Sequence, residues 1–176
     1  MKFRITKQTL FTALVAFAFV GLAVAASVHF KSGPTFFDQG LTLNASGALA
    51  GLGNGDVLVH LSATARPTAT CTNSGGNEAP GQNPASVNVT GAEAIPNTQI
   101  KNGTTPFTVT TNAPAQPTPE EAGCPNDNWK AAITDLQFTS ATITVFQNNV
   151  AVLTATFNLS CPPATTNDGI GQCTII

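Results

Sequence analysis

The sequence predicts an all-β protein: an immunoglobulin-like antiparallel β-sandwich of about seven or more strands, preceded by an N-terminal signal-peptide helix. Three observations carry this expectation. Apolar residues recur at every second position through most of the chain after residue 26. Gly (15 residues) and Pro (12 residues) interrupt those runs too often for helical turns to build up. Four cysteines, an even number, suit an exported chain held by disulfides.

The N-terminus sets the compartment. "MKFRITKQT" is basic, residues 10–26 form an uncharged apolar run, and Ala23-Val24-Ala25 offers a small-x-small cleavage pattern, with Val24-Ala25-Ala26 a close second. Such an order reads as a cleaved secretory signal peptide over residues 1–26. A retained membrane anchor is the rival reading, but the run is slightly short for a span of about 20 residues. In either case the positive flank stays inside and residues 27–176 lie outside the cytoplasm as one domain. That portion holds nine acidic residues against Lys31, Arg66, Lys101 and Lys130, a net charge of −5 with His neutral. An acidic, sparsely charged chain gains nothing by counterion release, so no nucleic-acid partner is expected, nor a membrane partner once the signal is removed.

The strands follow in order. "LTLNASGAL" places Leu41, Leu43, Ala45 and Leu49 on one face, and "VLVHLSATA" does the same with Val57, Val59, Leu61 and Ala63. A turn centred on Asn54 would join these two runs as a hairpin, with Leu49 opposite Val59 and Ala45 opposite Ala63. Further strands are expected at "SVNVTGAEA", "TPFTVTT" and "AITDLQF". "ATITV" and "AVLTATFNL" form the last hairpin. There the parity argument favours an odd loop, Gln147-Asn148-Asn149, which sets Ile143 opposite Leu153 and Val145 opposite Ala151. A jelly roll and an open barrel are alternative arrangements of the same strands.

Cys71, Cys124, Cys161 and Cys173 allow three connectivities. The short polar loop "CPPATTNDGIGQC" favours Cys161 with Cys173, which leaves Cys71 with Cys124. No Cys/His spacing suits a metal, and no metal or other cofactor is expected.

Groups able to do chemistry are few. His29 follows the cleavage site and His60 sits on the polar face of its strand, with no nucleophile elbow to serve. Glu120 and Glu121 lie side by side in a Pro-rich loop, where adjacent carboxylates are ordinarily just solvated. "GLGNGDVLV" matches a calcium-binding glycine-rich repeat at only some positions and occurs once, so a turn is the better reading. Asn126, Asp127 and Asn128 in "PNDNW" offer oxygen ligands, yet the same residues make Asx turns. "CTNSGGNEAPGQNP" holds one carboxylate and no base, and reads as a disulfide-tethered turn. Sequons occur at Asn44, Asn88, Asn102 and Asn158. Trp129 is a candidate sugar-stacking platform, although a lone Trp in a sandwich more often packs on the core. No residue is assigned a catalytic role.

The segments "GLGNGDVLVHLSATARPTATCTN", "PGQNP", "GCPNDNW" and "FTSATITV" resemble those of small exported bacterial β-rich proteins of uncharacterised function. The resemblance implies export and a β-fold and brings no functional residues with it. The expected function is that of a secreted or surface-exposed, non-enzymatic sandwich with a structural, adhesive or binding role toward a protein or glycan at the cell surface. The alternative is a subunit of a self-assembling filament or surface layer, with Phe30, Phe36 and Phe37 as strand-addition plugs, unless these phenylalanines simply start the first core strand. A carbohydrate-binding module and a hydrolase rank below both.

Mass analysis of the exported protein tests the compartment reading. The chain should begin near Ala26 or Ser27 and be lighter than its reduced form by the hydrogens of two disulfides. An intact N-terminus or free thiols would contradict it.

Overall fold

The computed structural model describes residues 27–82, 84–162 and 170–176; the expected signal segment lies outside the described residues. The strands are β1 (His29–Asp38), β2 (Leu43–Ala50), β3 (Val57–Thr72), β4 (Glu78–Pro80), β5 (Val87–Ile95), β6 (Thr105–Thr110), β7 (Lys130–Gln147), β8 (Val150–Ser160), β9 (Gly171–Gln172) and β10 (Thr174–Ile175). A 3-10 turn, Asn97–Gln99, follows β5. The strands form two antiparallel sheets, one ordered β6-β2-β1-β9 and the other β10-β8-β7-β3, with β4 and β5 sharing the outer edge of β3. Their apolar faces meet in one core that includes Leu43, Leu49 and Phe107 from the first sheet and Leu61, Phe138 and Ile143 from the second. The result is a β-sandwich.

The sandwich is built on β3 and β7. They pair along their whole lengths, from Val57 opposite Gln147 to Thr72 opposite Lys130. In β3 every odd residue from Val57 to Cys71 is buried. In β7 the inward set changes parity twice, running Ile133, then Leu136 and Phe138, then Ala141, Ile143 and Val145. Register shifts opposite Thr68/Ala69 and Thr64/Ala65 insert Thr134 and Thr139 as extra residues and restore the face each time. Both threonine hydroxyls donate to β3 carbonyls, Thr134 to Thr68 O at 3.3 Å and Thr139 to Thr64 O at 3.2 Å. "AITDLQF" and "ATITV", expected as two strands, are therefore one strand with two bulges.

Two expected turns differ from those observed. The last hairpin closes with a two-residue Asn148-Asn149 loop, both residues at positive φ (52° and 63°), a conformation Asn tolerates well. Parity is rescued by a bulge after Val145, so that Val145 faces Leu153 and Ile143 faces Ala155. The stretch between β2 and β3 is not a hairpin at all, because it carries the chain from one sheet to the other. An apolar face satisfied by the opposite sheet has the same period as one satisfied by a neighbouring strand, so sequence alone could not separate them. The buried Gln147 side chain holds this crossing. Its Oε1 accepts from Gly53 N at 2.9 Å and its Nε2 donates to Gly53 O and Gly55 O, both at 3.0 Å.

Cys71 is bonded to Cys124 and Cys161 to Cys173. The first bond ties the 112–129 connection to the end of β3. The second fixes the C-terminal tail, whose β9 pairs with β1 and whose β10 pairs with β8. Disulfides of this kind belong to an oxidising, extracytoplasmic environment. Among the described residues no helix is long and apolar enough to cross a membrane.

On the other side of the sandwich the two sheets are stitched together, with Asn112 N donating to Thr90 O at 2.8 Å and Thr108 N to Glu93 Oε2 at 2.6 Å. Gly91 makes that approach possible, because a Cβ there would fall 2.0 Å from Thr110 O. Gly91→Ala should therefore cost about 1–3 kcal/mol or more, read as a lowered urea midpoint with unchanged slope. A wild-type midpoint would show that the seam is not tight.

Candidate functional site

The side of the sandwich formed by β1 and β8 is only partly covered among the described residues. Among the described residues, β8 has an outer partner only at its end, where Ser160 faces Thr174 and Leu159 faces Ile175. Ile176 N adds one bond to Asn158 O at 3.0 Å. The edge from 150 to 157 has none. β1 is similarly bare along its first half, since β9 reaches only Phe37 and Asp38. Between these two lips the core is thinly covered. Leu153, Ala155 and Phe157 point inward from β8 yet stay half-exposed, whereas their β7 partners Val145, Ile143 and Ala141 are buried. Phe157 bridges the gap by packing on Phe30 at 6.0 Å and Phe36 at 5.3 Å between centroids.

Two clefts mark this side. One of about 760 Å³ lies at the upper end, lined in part by Val28, Leu52, Asn102, Gln147 and Val152. The other, about 480 Å³, separates Pro34, Thr35 and Phe36 from the tail residues 172–175. Neither has an acid, a base or a free thiol in its lining. They can offer hydrogen bonds and apolar contact.

The residues singled out from sequence are scattered. Phe36 is 1% exposed and belongs to the core, Phe30 packs half-buried against Phe107 and Phe157, and Phe37 is exposed. Trp129 is half-buried beside an Asx turn in which Asn126 Oδ1 accepts from Asn128 N at 3.0 Å. His60 sits half-exposed between Thr144 and Ala92. Glu121 is fully exposed, with its pKa lowered by the Thr118 N–H and hydroxyl that it accepts from. "CTNSGGNEAPGQNP" is a turn: Asn73 Oδ1 accepts from Gly75 N and Asn77 N, each at 2.9 Å, and leads into β4.

Sequence reasoning missed a pair of buried carboxyls, Asp38 (0% exposed) and Asp135 (3% exposed). Asp38 closes β1 on the same face as Pro34 and Phe36, and its Oδ1 accepts from Gly40 N at 2.9 Å. Its Oδ2 has no hydrogen-bond partner among the described residues. Asp135 stands beside the first bulge of β7, where Leu136 N donates to Gly40 O at 2.9 Å and locks the β1–β2 turn in place. The alternation of "PTFFD" carried the only available signal, an acid in register with two core positions. The Asp38 carboxylate and the sulfurs of Cys161 and Cys173 lie within 4.8 Å of one another. Those sulfurs are bonded to each other and offer no thiolate to a metal. Burial drives the Asp38 pKa from 3.8 to about 7, the Gly40 N–H pulls it back, and the charge of Asp135 adds to the rise.

No protein-family model matches the chain, and no curated protein matches it. Among solved structures, the chain is similar to a glycosyl hydrolase family 2 member from Bacteroides cellulosilyticus, with 9% identity and a TM-score of 0.35. That likeness covers 76% of this chain and 14% of the other.

The raised Asp38 pKa gives stability a definite pH dependence. The folded state holds its proton more tightly than the unfolded chain, so the contribution of Asp38 to stability is full below the unfolded pKa near 3.8 and is lost as pH rises through about 7. The loss should be no more than a few kcal/mol. Melting temperature in a metal-chelating buffer should fall across that window, and Asp38→Asn, which keeps the bond from Gly40, should flatten the slope. A profile that rises toward pH 8 in both proteins would refute the assignment.

Proposed function

We propose that the protein is a secreted or surface-exposed, non-enzymatic β-sandwich with a structural, adhesive or binding role, and that it works by presenting the β8 edge to an extended partner strand. The observation that carries this reading is the combination of a bare edge and a half-covered core beneath it. Strand addition supplies both needs, because backbone groups complete the ladder while alternate side chains fill the gap. The two disulfides suit the same role. They hold the tail and the long 112–129 connection against a core that must survive outside the cell.

The immunoglobulin-like kinship is part of this proposal. What supports it is the connectivity: β1, β2 and β6 fall in one sheet, and β5, β3, β7 and β8 in the other. Strands in the order A, B, C, C′, E, F and G would pair in this way, A-B-E against C′-C-F-G.

Binding of the purified exported protein to the surface of the producing cells tests the reading. Wild type should bind saturably, and Thr154→Lys/Thr156→Lys, which adds charge beside the β8 edge, should bind at least tenfold more weakly. Absence of saturable binding, or equal binding by the variant, would count against a role for this edge.

A further inference from the structure

We infer that the partner strand is β8 of a second copy, paired antiparallel about a two-fold axis at Ala155; this rests on the edge-presenting role proposed above. The sheet edges differ in how they are guarded. Natural edges are blunted by charge, proline, bulges, shortness or cover. β4 has three residues and contains Glu78 and Pro80. β5 and β6 cover one another through the Asn112–Thr90 and Thr108–Glu93 bonds, and β6 also carries Pro106. The bare half of β1 contains Lys31, Gly33 and Pro34 and has two register shifts. β8, "VAVLTATFNLS", has no charge, no proline and no glycine over its 11 residues. Among the described residues it is the long edge without a guard.

The β8 edge is also complementary to itself. A two-fold at Ala155 sets Leu153 opposite Phe157 and Thr154 opposite Thr156, each pair occurring twice. The inward residues keep their face across the junction. Each half-exposed Leu153 and Phe157 then gains an apolar neighbour from the other copy, an aromatic–aliphatic pairing favoured across strands. The outward threonines meet as hydroxyl pairs, as Thr142 and Thr156 already do within the chain at 2.9 Å. No like charges are opposed. The facing lip of β1 contributes only His29 and Lys31 as titratable groups. Such pairing would also continue the ladder that β10 begins at Leu159 and Ser160. A single pair of edge strands buries little area, which places the dimer among weak or transient associations, below roughly 1,200 Å².

Sedimentation equilibrium of the mature protein, across roughly the 1–500 µM range expected for such an interface, tests the proposal. Wild type should pass from monomer to dimer and stop there. Thr154→Lys/Thr156→Lys should stay monomeric, since lysines would face lysines, and Thr154→Glu/Thr156→Glu should do the same. An equimolar mixture of the two variants should recover association at least tenfold over either alone, which excludes misfolding as the cause. A wild-type monomer throughout, with cell-surface binding intact, would overturn self-pairing and leave a foreign strand as the partner. Association undiminished in the lysine variant would move the interface elsewhere, and failure of the mixture to recover would break the proposed register.

Discussion

The pairing of β3 with β7 is the constraint on which the rest of this structure depends. These two strands, 16 and 18 residues long, run the height of the second sheet and supply its buried centre. β4 and β5 are laid along one side of β3 and β8 along the outer side of β7. The two threonine bulges are what allow so long a pair to keep a single apolar face, since bulges increase local twist and re-aim side chains. The first bulge also places Asp135 and Leu136 consecutively in the interior, and so makes room for the β1–β2 turn with its buried Asp38.

The two flanks of the sandwich are finished differently. On the β5/β6 flank, backbone bonds and a glycine bring the sheets together. On the β1/β8 flank, the described part of the tail tied down by Cys161–Cys173 pairs with β1 and β8 only at their lower ends. Buried carboxyls sit beneath the closed part, and half-exposed apolar residues sit beneath the open part. The first arrangement makes the clasp sensitive to proton binding. The second leaves, among the described residues, the edge that we propose is covered by another strand.

Much of this was legible beforehand, and the failures have physical causes. Alternation located β2, β3, β5, β6, β7 and β8 because a half-buried strand must alternate, and cysteine spacing identified both disulfides. β1 entered only as the alternative to strand-addition plugs, and the short strands β4, β9 and β10 were not among those expected. Alternation could not tell a hairpin from a crossing between sheets, so the β2–β3 link was misread. A strict parity rule likewise missed the bulge after Val145 and demanded the wrong loop. The two-bulge strand β7 looked like two strands because its inward residues change parity at Thr139, while the bulge at Thr134 fell unseen inside the first of them. Asp38 and Asp135 were passed over because an acid in a strand is ordinarily solvated. The open flank has no sequence signature beyond the absence of charge in β8, which gains meaning only when every other edge is seen to be guarded.

Residue-resolved amide hydrogen exchange, recorded dilute and then concentrated, tests the central claim most directly: among the described residues β8 is the long edge left open over half-exposed core residues. At low concentration β3 and β7 should exchange most slowly, while every second amide between residues 150 and 157 should exchange fast. Those same amides should become protected as concentration rises. Uniform protection of β8 in the dilute monomer would contradict an open edge, and fast exchange at every concentration would contradict its use by a second copy.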